Sequence, residues 1–308
     1  MSSAATDTPE IPAAGHLPTR RPADGRRPRR RKAIGPWWKR MNFVGGLGVA
    51  VWLVIVGVPL YFLFVPSLRV SADYLTQGPL SPPGNFTVEN YATIMRSEFP
   101  RYFVNTAIVT LACVAIVLAL ALLAAYAIVR SRKKSVATAF SVILLGLAVP
   151  AQAVILPLYL LITKAGLYDT LLAIILPTAA FALPLSIIVL TSSLRDLPAE
   201  MYEAMNLDGA GAVRALFSLV IPLSRSAMAT VGIFTAMQAW NGFLFPLVLT
   251  QSSSVRVLTL GLWDFQGQFG QNVPLLLAAI VLAILPLLVV YLVGRRYLLA
   301  GLTAGSGK

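Results

Sequence analysis

Apolar residues gather along the chain into six long uncharged runs, approximately Phe43–Pro66, Tyr102–Val129, Val136–Thr163, Thr170–Leu194, Ser226–Thr250 and Val273–Gly294. A helix rising about 1.5 Å per residue crosses roughly 30 Å of hydrocarbon with about 20 residues, so each run is long enough for one crossing. A membrane strand needs only about ten residues, and length therefore excludes strands. Lipid offers no hydrogen-bond partners, and a helix satisfies its own backbone. The pattern predicts an all-α polytopic membrane protein with six transmembrane helices.

Composition agrees with that reading. Hydrophobic residues make up 57% of the 308 and charged residues only 12%. A chain so poor in charge has too little polar surface to cover a water-soluble core. The net charge of +13 is unevenly placed, because ten of the 25 Lys and Arg residues fall between Arg20 and Arg40. Residues 1–42 lack an apolar period and read as a disordered basic tail. Its run Arg26-Arg27-Pro28-Arg29-Arg30-Arg31-Lys32 suits anionic lipid head groups beside a membrane helix better than nucleic acid. A cleaved signal peptide fits poorly, since the tail and the first apolar run are both too long. Residues 43–296 form the expected membrane domain and 297–308 a short C-terminal tail.

The loops set the orientation. Arg130, Arg132, Lys133 and Lys134 follow the second run, Arg195, Arg214 and Arg225 the fourth, and Arg295, Arg296 and Lys308 the sixth. With the tail, 20 of 25 basic residues fall on one side, which predicts that both termini are cytoplasmic. The opposite loops hold Arg69, Arg96, Arg101, Lys164 and Arg256 beside a matching set of acids.

The runs also restrict the chemistry. None contains Asp, Glu, Lys, Arg or His, and the single histidine, His16, lies in the tail. Proton-coupled carriers usually place an ionisable group at mid-membrane, so a proton carrier is disfavoured, while sodium sites built from backbone stay open. Membrane enzymes need facing nucleophiles, acids or metal ligands. Ser141 and Thr191 are isolated hydroxyls of the helix-packing kind, and the lone Cys113 gives neither a disulfide nor a metal cluster. No phosphate loop of the form GxxxxGK[ST] occurs. The chain therefore reads as no enzyme and carries no cofactor of its own. If ATP drives it, the ATPase is a separate chain.

The most ordered polar segment is the loop 195–225. Pro198 suits a helix start, Glu200 and Glu203 suit its positive end, and Asp208-Gly209 is a stop-and-turn signal before a second helix from Ala212. Two short helices at a sharp angle form a compact cytoplasmic knob. The segment resembles the EAA signature of bacterial ABC importer permeases, E-A-A-x3-G-x9-I-x-L-P. Glu203, Ala204, Gly209 and Pro222 match, Met205 stands for the third residue, and Leu219 and Ile221 stand for Ile and Leu. Over roughly residues 85–305 the chain is similar to the carbohydrate branch, on the side of the maltose importer's smaller permease. Asn85-Phe86-Thr87-Val88-Glu89-Asn90-Tyr91, the stretch Pro150–Asp169 and Gly301-Leu302-Thr303-Ala304-Gly305 carry the likeness. So does Ala239-Trp240-Asn241-Gly242-Phe243-Leu244-Phe245-Pro246, with Gly242 in place of an acid.

The resemblance implies a sugar-importer permease in the bacterial inner membrane. Glu203, Ala204, Met205, Asp208, Gly209, Ala210 and Pro222 would then couple it to two cytoplasmic ATPase subunits that bind the ATP. A second homologous permease and an extracytoplasmic sugar-binding protein complete the set. An ion-driven carrier, or a permease for a non-sugar solute, remains the alternative. Trp240, Asn241 and Phe243 suit a brace between helices or a place near an interface, ahead of a sugar path with ring faces for stacking and an amide for hydroxyls. Pro150, Pro157, Pro177 and Pro184 are candidate kinks. Arg256 and Asp264 suit contact with a delivery protein or a solvated loop.

Overall fold

The computed structural model describes residues 43–78, 81, 84–267 and 270–304. The basic tail, His16 and residues 305–308 lie outside the described residues. The chain divides into two units at Leu53–Val54. The described part of the first is the opening of helix α1 (Phe43–Ser67), where Leu47, Trp52 and Leu53 are exposed.

In the second unit α1 continues with exposed Ile55, Val58 and Leu60, the all-round apolar character of a helix meant for lipid. Helices α2 (Ser71–Gln77) and α3 (Glu89–Arg96) follow. Just ahead of α2, Arg69 is fully buried. Its guanidinium donates to the carbonyls of Asp73, Gly78 and Ser81, to Gln77 Oε1 and to Ser81 Oγ, at 2.9–3.2 Å. Asn90 Nδ2 donates to the Ser67 and Arg69 carbonyls, both at 2.9 Å. A buried charge is costly unless hydrogen-bonded, and here oxygen dipoles do the work of a carboxylate.

Helix α4 (Phe99–Arg130) is followed by α5 (Lys134–Leu145), α6 (Ile155–Lys164) and α7 (Leu171–Arg195). Thr170 starts α7 by accepting the Ala173 N–H at 3.3 Å. Short helices α8 (Ala199–Leu207), α9 (Ala212–Ala215) and α10 (Ile221–Leu223) form the loop before α11 (Arg225–Trp240). Then come α12 (Leu244–Leu249), α13 (Leu258–Gly261), the antiparallel pair β1 (Gln266–Gly267) and β2 (Gly270–Gln271), and α14 (Val273–Ala304).

Two expected spans are not continuous helices. Among the described residues four helices are long and apolar enough to cross a membrane, and the number reaches six only if each of two bent pairs is one span. The third run breaks at Val149–Pro150, and its halves meet at 96°. Proline has no N–H and pushes the residue before it into extended backbone, and Val149 stands at φ −88°, ψ 112°. The fifth run breaks at Asn241–Phe243, between α11 and α12. Its other end is bent as well, with 212–223 meeting Arg225–Trp240 at 77°.

The core is the α4–α7 pair with α11 against it. Val109, Cys113, Val117, Ala121 and Ala125 recur every four residues along α4 and pack in one cluster with Ile175, Ala179, Ala182 and Leu190 of α7. Lipid is as apolar as leucine, so close approach of small side chains, rather than transfer from water, holds such helices together. Pro177 and Pro184 lie buried inside α7, which stays a single helix.

Candidate functional site

Helix α8 opens after Pro198, with Glu200 in its first turn near the positive helix end. It closes in two hydrogen bonds, Ala210 N–H to the Met205 carbonyl at 2.9 Å and Gly209 N–H to the Asn206 carbonyl at 3.0 Å. This double closure demands a left-handed residue after the cap, and Gly209 supplies it at φ +71°. After α9 the helix widens into a π turn over Leu216–Val220, just ahead of Pro222. Proline cannot donate to the carbonyl four residues back and crowds it, and a widened turn relieves both.

The knob has two faces. Tyr202, Ala210, Ala215, Leu216, Leu219 and Val220 are buried and Met205 is half-buried. The Tyr202 ring lies under the Arg130 guanidinium, 4.8 Å from centroid to carbon, so the end of α4 clamps α8. Burial, helped by the neighbouring Tyr126, pushes the Tyr202 hydroxyl above its ordinary pKa. On the other face Glu203, Ala204, Asp208, Gly209 and Pro222 are exposed. Leu207, Val213 and Phe217 of the same loop are also exposed, at 89%, 70% and 64%. Among the described residues Glu203 has no ion pair. The apolar ridge beside the signature is what sequence reasoning missed, because exposure of a leucine inside a mixed loop has no sequence signal.

The structure does not bring Trp240, Asn241 and Phe243 to one point. Trp240 turns inward, its Nε1 donating to the Ala283 carbonyl of α14 at 3.0 Å and its ring meeting Phe103 edge-on at 5.5 Å. Asn241 folds back to the Met237 carbonyl at 2.8 Å. Phe243 lies against Trp263, with ring centroids 5.7 Å apart. Beyond it opens a cleft of about 320 Å³ lined partly by Gln251, Arg256, Trp263 and Asp264. Arg256 NH1 pairs with Asp264 Oδ1 at 2.6 Å, and the Tyr102 hydroxyl donates to Asp264 Oδ2 at 2.7 Å. A Cβ on Gly261 would overlap the Tyr102 ring, so only glycine lets α13 pass there.

Residues 117–302 match the family described as "Binding-protein-dependent transport system inner membrane component". The chain belongs to that family. It is 35% identical to the putative ABC transporter permease protein ORF2 of Caldicellulosiruptor sp. (strain Rt8B.4), over 84% of this chain and 94% of that one. It is 32% identical to the diacetylchitobiose uptake system permease protein NgcG of Streptomyces coelicolor, over 83% of this chain and 85% of that one. Its fold matches a chain in the crystal structure of a bacterial ABC transporter involved in the import of the acidic polysaccharide alginate. That match has a TM-score of 0.72 and 23% identity and covers 85% of this chain and 99% of the other. As an inner-membrane component of this family the protein is a multi-pass transporter subunit and not an enzyme. The family reading made from the EAA-like residues therefore stands, and so does the all-α membrane fold.

Proposed function

We propose that this permease is one of two homologous membrane subunits of an ATP-driven sugar importer, and that the knob 195–225 is where a separate ATPase docks. The observation that carries the reading is the division of the knob's faces. One face is locked to the bundle through Tyr202 and Arg130, while Glu203 is exposed in the same loop as Leu207, Val213 and Phe217. A solvated loop gains nothing by holding large apolar groups in water, whereas a docking ridge buries them against a partner. In this arrangement both termini and the knob face the cytoplasm, where 20 of 25 basic residues collect. The membrane domain is 43–296, with the basic segment 1–42 and the end 297–308 on its cytoplasmic side, the basic segment suited to anionic lipid head groups.

Two ATPase subunits bind the nucleotide, and an extracytoplasmic binding protein delivers the solute. Closure of the ATPase pair draws the two knobs together and opens the path outward, and hydrolysis resets it inward. Saccharide is the supported solute class, since relatives named for diacetylchitobiose uptake and a structural neighbour named for alginate import share the chain or its fold. Trp240 braces α11 against α14, through its bond to the Ala283 carbonyl and its edge-on contact with Phe103 of α4.

The test substitutes the knob and follows ATPase co-purification and labelled oligosaccharide uptake. Glu203→Ala removes one partner of a partly desolvated pair, a loss on the order of 2–5 kcal/mol in docking. Gly209→Val forces a Cβ into a left-handed backbone at roughly 1–2 kcal/mol or more. Both variants should insert in the membrane yet lose bound ATPase and uptake. Normal docking and uptake in both would remove the knob from the mechanism.

A further inference from the structure

We propose that the cleft walled by Trp263, Arg256, Asp264 and Gln251 is a subsite for one neutral saccharide ring. The proposal rests on the sugar-importer reading above and extends it to residues of this chain. Four observations carry it. The size is right, since about 320 Å³ lies at the small end of ligand pockets, roughly 300–1,000 Å³. One wall is an aromatic face. Trp263 is 57% exposed, and Phe243 fixes the ring from one side while leaving it open to a ligand. Sugar C–H groups pack on such a face as other apolar surfaces do.

A second wall is a prepositioned hydrogen-bonding fork. Arg256 uses NH1 on Asp264, and the rest of the planar guanidinium remains for hydroxyl oxygens. Asp264 is held from both sides, by Arg256 and by the Tyr102 hydroxyl, and each carboxylate oxygen still has room to accept from a sugar hydroxyl. The Gln251 side chain adds donor and acceptor at the exposed rim.

Charge then selects the ligand. Arg256 and Asp264 cancel, so the cleft itself is neutral. Asp169 is bonded to two of the lining residues, accepting from the backbone N–H groups of Gln251 and Ser252 at 2.8 and 2.9 Å and from the Ser252 hydroxyl. Asp169 does not line the cleft, but its negative charge beside two residues that do repels a uronate ring through space and leaves a neutral ring unaffected.

Saturation-transfer NMR on the assembled importer in nanodiscs, without its binding protein, tests the site. The probes are N,N′-diacetylchitobiose, raffinose and maltotriose, with an alginate oligosaccharide as the acidic comparison. At least one neutral probe should receive saturation, and the acidic one markedly less. Trp263→Ala should weaken binding about tenfold, and Trp263→Phe should restore most of it. Gln251→Ala, on the exposed rim, should weaken binding severalfold, which keeps the test open if Trp263→Ala does not assemble. No saturation with any neutral probe, or equal binding in both alanine variants, overturns the subsite. Uptake of the same sugars with the binding protein restored reports separately on the importer reading. Uptake without saturation sinks only the cleft.

Discussion

Tyr202 does its work through its ring. The hydroxyl is buried with no hydrogen-bond partner among the described residues, while the ring carries the Arg130 guanidinium. Removing a buried, unsatisfied hydroxyl relieves a desolvation penalty, so Tyr202→Phe should be neutral or stabilising by up to about 1 kcal/mol. Tyr202→Leu loses the ring and with it about 1–2 kcal/mol of partly desolvated cation–π attraction. Limited proteolysis should then cut the loop 195–225 faster in the leucine variant and no faster in the phenylalanine one. Because burial raises the folded pKa, the neutral form's contribution is complete below an unfolded tyrosine pKa of about 10. It is lost as pH rises through the higher folded value, and Tyr202→Phe should remove that alkaline sensitivity. Sequence showed the knob's turn, because Asp208-Gly209 and Pro198 are local signals. It did not show the clamp, because nothing local links Arg130 to a tyrosine four helices later. The same holds for Trp240, whose partner Ala283 is a carbonyl on another helix.

At the scale of elements, the turn after α6 is tied to the segment after α12 by one residue. Asp169 sits in the left-handed region at φ +58°, donates its N–H to the Leu249 carbonyl at 3.0 Å, and accepts three hydrogen bonds from Gln251 and Ser252. Those bonds, led by the Ser252 hydroxyl, hold its carboxyl below the ordinary carboxylate pKa. The stabilisation is therefore full above that ordinary value and lost only as pH falls through the depressed one. Asparagine tolerates the backbone and keeps one acceptor, whereas alanine keeps neither. Asp169→Ala should cost about 1–2 kcal/mol and lower Tm in detergent by a few degrees, with Asp169→Asn between it and the parent chain. The six apolar runs were legible because hydropathy reports what lipid tolerates. The break at Pro150 fell on one of the four candidate kinks, while the break at Asn241–Phe243 left no mark, because hydropathy is blind to backbone. Proline alone does not mark a break, since Pro177 and Pro184 lie within an unbroken α7 while Pro150 ends a helix.

For the molecule as a whole, family and fold place the chain in a membrane, and the bent pairs decide which membrane suits it. Straight helices such as α4 have residues to spare, 32 of them, and accommodate thickness by tilting. The 16 residues of α11 reach only about 24 Å even when upright, short of roughly 30 Å of hydrocarbon. The 12 of α5 and 10 of α6 are shorter still. A helix that is too short has no tilt to give up, so the bilayer must thin around it or water must follow it inward. The importer should therefore be sensitive to acyl-chain length. Reconstituted in phosphatidylcholines from 14 to 22 carbons (roughly a span of several ångströms in thickness), transport should fall in the thickest bilayers while ATPase docking at the knob persists. Equal transport across the series would mean that the breaks lie where no lipid reaches them.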